Sequence, residues 1–184
     1  MQTPYFFGYG SLVNAGTHRH SPLYRARAHG WRRAWVAVPG NDICYLTAVR
    51  DAAAYIDGAI APVPDADWAA LDLREDAYDR HEDSANITHD ADAQSIAIYA
   101  VPPHNAGQPS REQGVLLSYL DTVVAGFAQL YGTEMANDFF ETTGGWQATI
   151  IDDRTDPRYP RTTPPTPEIR EIVDNGLRRV EAPR

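Results

Sequence analysis

The sequence predicts an α+β fold, with strands in roughly the first hundred residues and helices in most of the remainder. Short runs of aromatic and β-branched residues, bounded by glycine, proline or aspartate, recur in that first part. One helical segment interrupts them, and the strongest apolar repeat at three- and four-residue steps lies later, between residues 112 and 131. Because strands and helices do not alternate regularly, an α+β chain is favoured over a parallel α/β chain.

The first predicted strand is short and aromatic. Tyr5, Phe6 and Phe7 indicate a buried strand that leads directly into Gly8-Tyr9-Gly10-Ser11-Leu12. Glycines at the end of a strand allow a ligand to approach main-chain N–H groups, and such amides can bind a carboxylate or a developing oxyanion. A plain strand-to-turn junction is the alternative interpretation, because short glycine patterns recur by chance.

The other elements follow from local patterns. Strands are predicted at residues 27–38, 43–50, 53–63 and 95–101, while the charged segment 78–87 is expected to be an edge strand or a loop. Helices are predicted at residues 112–131, 133–141 and 168–180, and Gly132 ends the first of them. Residues 152–167 are rich in Asp, Arg and Pro, which predicts an extended arm. We therefore expect one domain, residues 1–184, in which 152–184 form the arm and a C-terminal helix.

Residues 65–78 predict a helix of about three turns that carries a carboxylate on its apolar stripe. At helical spacing Glu75 falls on the same face as Leu71, whereas Arg74 and Asp76 are expected to point elsewhere. Burial and the negative end of the helix dipole are both expected to raise the pKa of Glu75, which suits a general acid or base. The alternative is a solvated charge cluster at a fraying helix end.

Composition excludes several classes of function. The formal net charge of −9 makes nucleic acid and anionic membrane surfaces unexpected partners. All sixteen Lys and Arg residues are arginine, which excludes Schiff-base chemistry, pyridoxal phosphate attachment and a Walker-type phosphate loop. No run approaches the ~18 apolar residues of a membrane span, and no signal peptide is visible, so a cytoplasmic location is expected.

Individual side chains have more ordinary interpretations. The single cysteine, Cys44, allows no internal disulfide and is expected to be a small buried side chain. His18 and His20 lack neighbouring Cys or carboxylate partners, so solvated loop histidines are favoured over a metal site. Trp31, Trp35 and Tyr45 are expected in the core, and Arg32 and Arg33 are expected to pair with acidic neighbours, although one of them can instead meet a substrate carboxylate.

The glycine pattern and Glu75 together resemble the gamma-glutamylcyclotransferase family, including its ChaC-like branch. The matching residues are Tyr9-Gly10-Ser11-Leu12 and Leu73-Arg74-Glu75, with Tyr78 shortly after, and the resemblance covers roughly the first hundred residues. It implies that Tyr9, Gly10, Ser11 and Leu12 bind the γ-glutamyl group, that Tyr78 and Tyr99 lie near the substrate, and that Glu75 does the acid–base work. Asp76-Ala77 replaces glycines common in the ChaC-like branch, so specificity for glutathione alone is not implied.

The resemblance also implies a fold and a reaction. The fold is a small, mostly antiparallel β-barrel with surrounding helices. The reaction is the intramolecular cyclisation of a γ-glutamyl amide, which releases 5-oxoproline and a free amine without a metal or cofactor. The resemblance does not decide whether the leaving group is an amino acid, an amine or the Cys-Gly part of glutathione. It also does not decide between a monomer and a homodimer.

Two other classes of function stay open. Ser11 can be the nucleophile of an amidase or esterase, although no glycine lies two residues to either side of it, as a nucleophile elbow requires. Alternatively, the domain binds a ligand without turning it over. The carboxylate on an apolar stripe argues against this last alternative, because a scaffold gains nothing from a buried charge.

Overall fold

The computed structural model describes residues 3–183, which form a curled sheet with helices packed against it. The strands are β1 (Tyr5–Gly8), β2 (Tyr24–Ala37), β3 (Cys44–Pro62), β4 (Asp79–Glu82), β5 (Ile87–His89), β6 (Ile96–Ala100), β7 (Gly114–Leu116), β8 (Thr143–Gly144) and β9 (Thr149–Ile151). The helices are α1 (Ala69–Arg74), α2 (Leu117–Tyr131), α3 (Thr133–Glu141) and α4 (Pro167–Arg179). The predicted α+β class is confirmed.

The main sheet is an open half-barrel. Its strands lie in the order β4-β6-β1-β3-β2-β5, β8 also pairs with β2, and the pairings are mostly antiparallel. Within residues 3–183 no strand joins β4 to β5, so the expectation of a closed barrel is wrong. Both outer strands are short, and the side chains of β4 are mostly exposed and charged, which is typical of an edge that does not pair further.

A long hairpin gives the sheet its curl. β2 and β3 pair over most of their 14 and 19 residues, and their register shifts between His29 and Trp31. Gly30 stands at that shift with φ of +77°, a conformation that favours glycine and is typical of a bulge that bends a strand. The strands predicted at 43–50 and 53–63 are therefore one continuous strand.

The central strand β1 is buried on both faces. Phe7 is 1% exposed and lies in the main core, whereas Phe6 is fully buried in a second, smaller core with Leu71 and Tyr99. Burying a phenylalanine side chain stabilises a fold by about 1.5–3 kcal/mol. Because β1 is packed on both faces, its end is held in place, and this fixes the direction in which the glycine loop leaves the strand.

The helix before Glu75 is shorter than predicted. Asp65 and Ala66 have φ values of +56° and +53°, so the segment that precedes α1 is a kinked 3-10 turn rather than its first helical turn. α1 itself has 6 residues, and Glu75 is the cap residue directly after it, with φ of −104° and ψ of 37°. The prediction of three helical turns over 65–78 is therefore wrong.

The C-terminal part packs on the same body. α4 begins at Pro167, after Thr166, whose side chain accepts a hydrogen bond from the N–H of Ile169. The apolar face that α4 presents is buried in the main core of the same chain, through Ile169, Ile172, Val173 and Leu177. None of the helices within residues 3–183 is both long and apolar enough to cross a membrane.

Candidate active site

The glycine loop turns sharply after β1. The N–H of Val13 donates to the carbonyl oxygen of Gly10 at 3.0 Å, which closes a 3-10 turn at Ser11–Val13. A Cβ on Gly10 would lie 2.6 Å from the hydroxyl oxygen of Tyr119 on α2, and 3.2 Å from Leu46 Cδ2. Glycine at this position therefore lets the Tyr119 hydroxyl contact the loop backbone directly.

Tyr9 is held on both its side chain and its carbonyl group. Its hydroxyl donates to the carbonyl oxygen of Tyr99 at 2.6 Å, and burial raises the pKa of Tyr9 well above its usual value. Its carbonyl oxygen accepts a hydrogen bond of 3.1 Å from the guanidinium of Arg33. The peptide that joins Tyr9 to Gly10 is thus fixed in one orientation, with a cation on its carbonyl side.

Arg32 pairs with Asp51 at 3.8 Å, as expected, but within residues 3–183 Arg33 forms no ion pair with an acidic side chain, so the expectation is wrong for Arg33. It is 4% exposed, donates also to the hydroxyl groups of Thr142 and Thr143, and lies 4.6 Å from the ring centroid of Phe139. Burial lowers the pKa of Arg33 to about 10, which still leaves it charged at neutral pH. The charge of Asp57 partly offsets that of Arg33, and the hydrogen bond to the Tyr9 carbonyl oxygen brings the guanidinium field directly onto that peptide.

Glu75 is sheltered from solvent. Its side chain is 16% exposed, and its Oε1 lies 3.0 Å from Nε of Arg74. Burial raises the pKa of Glu75, as the sequence predicts, while the charges of Arg74 and Arg161 oppose that rise. A carboxyl group in this environment is suited to exchange a proton near neutral pH.

Arg74 joins Glu75 to the glycine loop, so the prediction that it points elsewhere is wrong. Besides its ion pair with Glu75, it donates to the hydroxyl of Ser11 at 3.1 Å and to the carbonyl oxygen of Thr17 at 2.9 Å. The predicted helical spacing does not apply here, because Glu75 lies after the end of α1 and has non-helical φ and ψ values. The side chains of Arg74 and Glu75 therefore point towards the same region. One guanidinium therefore spans the distance between carboxylate and loop.

One cavity gathers every site residue that the sequence singles out. A space of about 30 Å³ is lined by Glu75, by Tyr78 and Tyr99, and by the loop residues Tyr9, Gly10, Ser11 and Leu12. A second cavity, of about 190 Å³, is also lined by Ser11, Glu75 and Tyr78. The two cavities share these walls, so a ligand seated against the loop can extend into the larger space.

The tyrosine hydroxyls around the cavity are mostly engaged with the protein. Tyr78 donates to the carbonyl oxygen of Leu46 at 3.0 Å, and Tyr99 donates to Asp72 Oδ1 at 2.5 Å. Burial raises the pKa values of Tyr78, Tyr99 and Tyr119, so these phenols stay neutral. Tyr78 and Tyr99 therefore offer a ligand the faces or edges of their rings rather than free hydroxyl groups.

The two candidate nucleophiles lack activation. Within residues 3–183, the Ser11 hydroxyl accepts from Arg74 and makes no hydrogen bond to a histidine or a carboxylate that could take its proton. Cys44 lines the larger cavity, but it is 6% exposed and burial raises its pKa to about 11, so it is a thiol and not a thiolate. His18 and His20 are half-buried rather than fully solvated, since both rings pack on Phe6 and each hydrogen-bonds a backbone carbonyl group.

Part of the cavity wall comes from residues that carry no local sequence signal. Tyr119 comes from α2, whereas Tyr159 and Arg161 come from the arm after β9, and Trp35 was expected only in the core. No local pattern marks these residues, because only the packing of α2 and the arm brings them to the glycine loop. Another cavity of about 410 Å³ shares only Trp35 with the first two, and its lining has no carboxylate that could transfer a proton.

Comparison with known proteins identifies the fold. No protein-family model and no curated protein matches the sequence. A solved structure of gamma-glutamyl cyclotransferase matches with a TM-score of 0.57 at 13% identity, over 95% of this chain and 99% of that one. The chain has the fold of a gamma-glutamyl cyclotransferase.

Two further solved structures resemble this chain in fold. The human protein loc79017 matches with a TM-score of 0.58 at 14% identity, over 95% of this chain and 99% of its own. YkqA from Bacillus subtilis matches with a TM-score of 0.58 at 15% identity, over 77% of this chain and 54% of that chain, so this chain spans about half the length of YkqA. At these identities the similarity concerns the fold, and the chemistry has to be argued from the residues of the cavity.

Proposed function

We propose that this protein is a gamma-glutamylcyclotransferase, which cyclises a γ-glutamyl amide to 5-oxoproline and releases a free amine, with Glu75 as general acid and base. One observation carries the proposal. Glu75 is sheltered from solvent and lines the same small cavity as the glycine loop, Tyr9 to Leu12. The likeness of fold to a gamma-glutamyl cyclotransferase supports it independently.

The nucleophile belongs to the substrate. Glu75 takes a proton from the α-ammonium group, and the resulting amine attacks the γ-carbonyl carbon, forming the new C–N bond of the ring. Glu75 then returns the proton to the leaving nitrogen as the bond from the γ-carbon to that nitrogen breaks. The ring nitrogen gives up its second proton, which ends on the released amine as an ammonium group. A carboxyl group whose pKa is raised by burial serves both steps. Holding amine and carbonyl together contributes about 7–11 kcal/mol in well-oriented intramolecular reactions.

The oxyanion is stabilised by the loop. Backbone N–H groups within Tyr9 to Leu12 face the charge that develops on the γ-carbonyl oxygen, and each donor contributes about 3 kcal/mol. Arg33 strengthens this effect, because a cation on the Tyr9 carbonyl polarises the peptide whose N–H belongs to Gly10. The reaction needs neither metal nor cofactor, since substrate and loop supply the nucleophile and the charge stabilisation.

Glu75→Gln tests the assignment. The purified variant should lose roughly 10²- to 10⁴-fold in 5-oxoproline release, the contribution of a general acid–base group, while its thermal unfolding temperature stays near that of the wild type. The assay incubates enzyme with glutathione, γ-glutamyl dipeptides and γ-glutamyl amines and quantifies 5-oxoproline by mass spectrometry. Glu141→Gln is the matched control, because Glu141 is an exposed carboxylate on α3. Unchanged turnover by Glu75→Gln would refute the assignment.

Ser11→Ala separates cyclisation from serine hydrolysis. With the substrate's amine as nucleophile, this variant should bind substrate more weakly but still release 5-oxoproline. A fluorophosphonate probe should leave the wild-type protein unlabelled. Labelling of Ser11 together with complete loss of activity in Ser11→Ala would favour the serine amidase instead.

A further inference from the structure

The third cavity lies apart from the glycine loop. Its volume is about 410 Å³, within the range of small-molecule sites, and neither Glu75 nor any residue of the loop lines it. Its walls come mainly from the second half of the β2–β3 hairpin, from the loop after β6 and from the loop between β8 and β9, and we call it the hairpin cavity. Within residues 3–183, Trp35 alone lines both this cavity and the one beside Glu75.

The walls of the hairpin cavity are mostly apolar and include two large aromatic side chains. Trp31 and Trp35 are 3% and 2% exposed, so the surrounding packing holds both indole rings in place. The other apolar wall residues include the small side chains of Ala34, Ala48 and Ala100, which leave space beside the rings. Flat aromatic groups pack well on indole rings, in offset-stacked or edge-to-face arrangements. The walls therefore favour an aromatic ligand.

The two loops that complete the cavity are fixed by hydrogen bonds. Gly107, in the loop after β6, exchanges backbone hydrogen bonds of 2.8 and 3.0 Å with Ala37 at the end of β2. The side-chain amide of Gln147, in the loop between β8 and β9, donates to Gln108 Oε1 at 3.4 Å. Because each loop is held to its neighbour, the cavity is formed before a ligand arrives, and little order has to be gained on binding.

Two arginines supply the charge at the hairpin cavity. Arg32 and Arg50 both line it, and none of its described lining residues is Asp or Glu. Arg50 stacks on Trp31, with its guanidinium carbon 3.7 Å from the ring centroid, and donates one hydrogen bond of 3.0 Å to Asp83. The distance from Arg32 Nε to Asp51 Oδ2 is 3.8 Å, which is longer than a hydrogen bond. Since a guanidinium carries five N–H donors, both arginines keep donors for a ligand.

The local charge differs in sign from that of the whole chain. The formal net charge is −9, but exposed charges more than about 8–10 Å away are largely screened at physiological ionic strength. Asp51 and Asp83 offset part of the local positive charge, so the placement of the donors matters more than the size of the charge. A guanidinium that stacks on an indole ring presents its N–H fork beside a flat apolar surface, which suits a carboxylate attached to an aromatic ring.

We propose that the hairpin cavity is a second ligand site, for an aromatic carboxylate. The ring of the ligand packs on Trp31 and Trp35, and its carboxylate accepts hydrogen bonds from Arg50, with Arg32 as the second cation. The site is independent of the proposed cyclisation, because the cavity includes neither Glu75 nor the glycine loop.

Calorimetric titration with two matched probes tests the site. 2-Naphthoate and 2-naphthamide share one ring system and a similar size, but only the first carries a charge. The wild type should bind 2-naphthoate with a Kd of about 1 mM or below, and at least fivefold more tightly than the amide. Arg50→Gln should remove most of this preference and leave the Kd of the amide nearly unchanged. Arg161→Gln is the matched control, since Arg161 lines the cavity beside Glu75 instead.

A variant that fills the hairpin cavity locates the bound probe. Ala106 lines the cavity at a half-buried position of a loop, so Ala106→Trp should abolish binding of both probes while the thermal unfolding temperature stays near that of the wild type. His104→Trp is its control, because His104 is exposed on the same loop and does not line the cavity.

Three results would overturn the proposal. The first is no binding of 2-naphthoate by the wild type, and the second is equal affinity for the two probes. The third is loss of binding in Arg161→Gln with full binding by Arg50→Gln, which would place the acid beside Glu75. Because Arg50→Gln and Ala106→Trp act on different walls, either variant decides the question if the other fails to fold.

Discussion

Replacement of Arg74 by methionine gives the most detailed prediction. The Arg74 side chain is 9% exposed and that of Glu75 is 16% exposed, so this ion pair, with 3.0 Å between Nε and Oε1, is largely shielded from water. Removing one partner of a buried pair costs about 3–5 kcal/mol, because it leaves an uncompensated charge. Since both side chains keep some exposure, we expect Arg74→Met to lower the free energy of unfolding by about 3 kcal/mol at pH 8.

The loss should depend on pH in a defined direction. Burial already raises the pKa of Glu75, and removal of the Arg74 charge, which opposes that rise, raises it further. A carboxyl group whose pKa is higher in the folded state than in the unfolded state stabilises the fold in its protonated form. Its contribution is therefore present below the unfolded pKa, about 4.3, and is lost as pH rises through the native pKa. The destabilisation by Arg74→Met should be small near pH 4.5 and grow towards pH 8.

Urea unfolding at several pH values measures this effect. The double variant Arg74→Met with Glu75→Gln should lose most of the pH dependence, and Arg158→Met, which removes a surface pair with Asp42, should change stability little. The acidic limb of the kcat/KM profile should move to higher pH in Arg74→Met, because Glu75 must be ionised to accept the first proton. Equal destabilisation at pH 4.5 and pH 8, or an unmoved acidic limb, would refute the coupling.

Three further predictions concern the glycine loop, Arg33 and the arm after β9. Gly10→Ala should lower kcat/KM roughly 10- to 100-fold through displacement of the loop, and Tyr119→Phe in the same chain should restore part of it, because the new Cβ meets the Tyr119 hydroxyl at 2.6 Å. Arg33→Met should lower kcat roughly tenfold with little change in KM, since its charge acts on the oxyanion through the Tyr9 peptide; a change in KM alone would contradict this. Arg154→Met should cost about 3–5 kcal/mol in urea unfolding, because it leaves the fully buried Asp121 carboxylate unpaired, and a loss below 1 kcal/mol would contradict that reasoning.

The central features of the site follow from the sequence because their signals are local. Three aromatics before a glycine loop indicate a buried strand with an accessible end, and Phe6 and Phe7 are indeed fully or almost fully buried. The burial of Glu75 is also as predicted, although the reason differs in part. Glu75 lies after the helix rather than on its stripe, and Leu71 on the preceding turn provides the contact with the smaller core.

Features that depend on distant packing could not be predicted. Arg33 is stabilised by hydroxyl groups of Thr142 and Thr143, more than a hundred residues away, where a nearby carboxylate was the expected partner. The single long strand β3 and the bulge at Gly30 in its partner β2 also lack a local signal, since the bulge is defined by the register of two paired strands. The wall of the larger cavity combines Trp35 from β2 with Tyr159 from the arm, and no sequence spacing relates the two.

The arm between β9 and α4 supplies part of the wall of the larger cavity from a separate part of the chain. The groups proposed to move protons and hold the oxyanion all precede residue 80, whereas Tyr159 and Arg161 belong to a segment fixed at its root by Asp153 and by the ion pair of Arg154 with Asp121. Such a segment can diverge at its tip while its anchors and the reaction machinery are kept. Substitutions at Tyr159 or Arg161 are therefore expected to reshape the larger cavity without displacing Glu75 or the glycine loop.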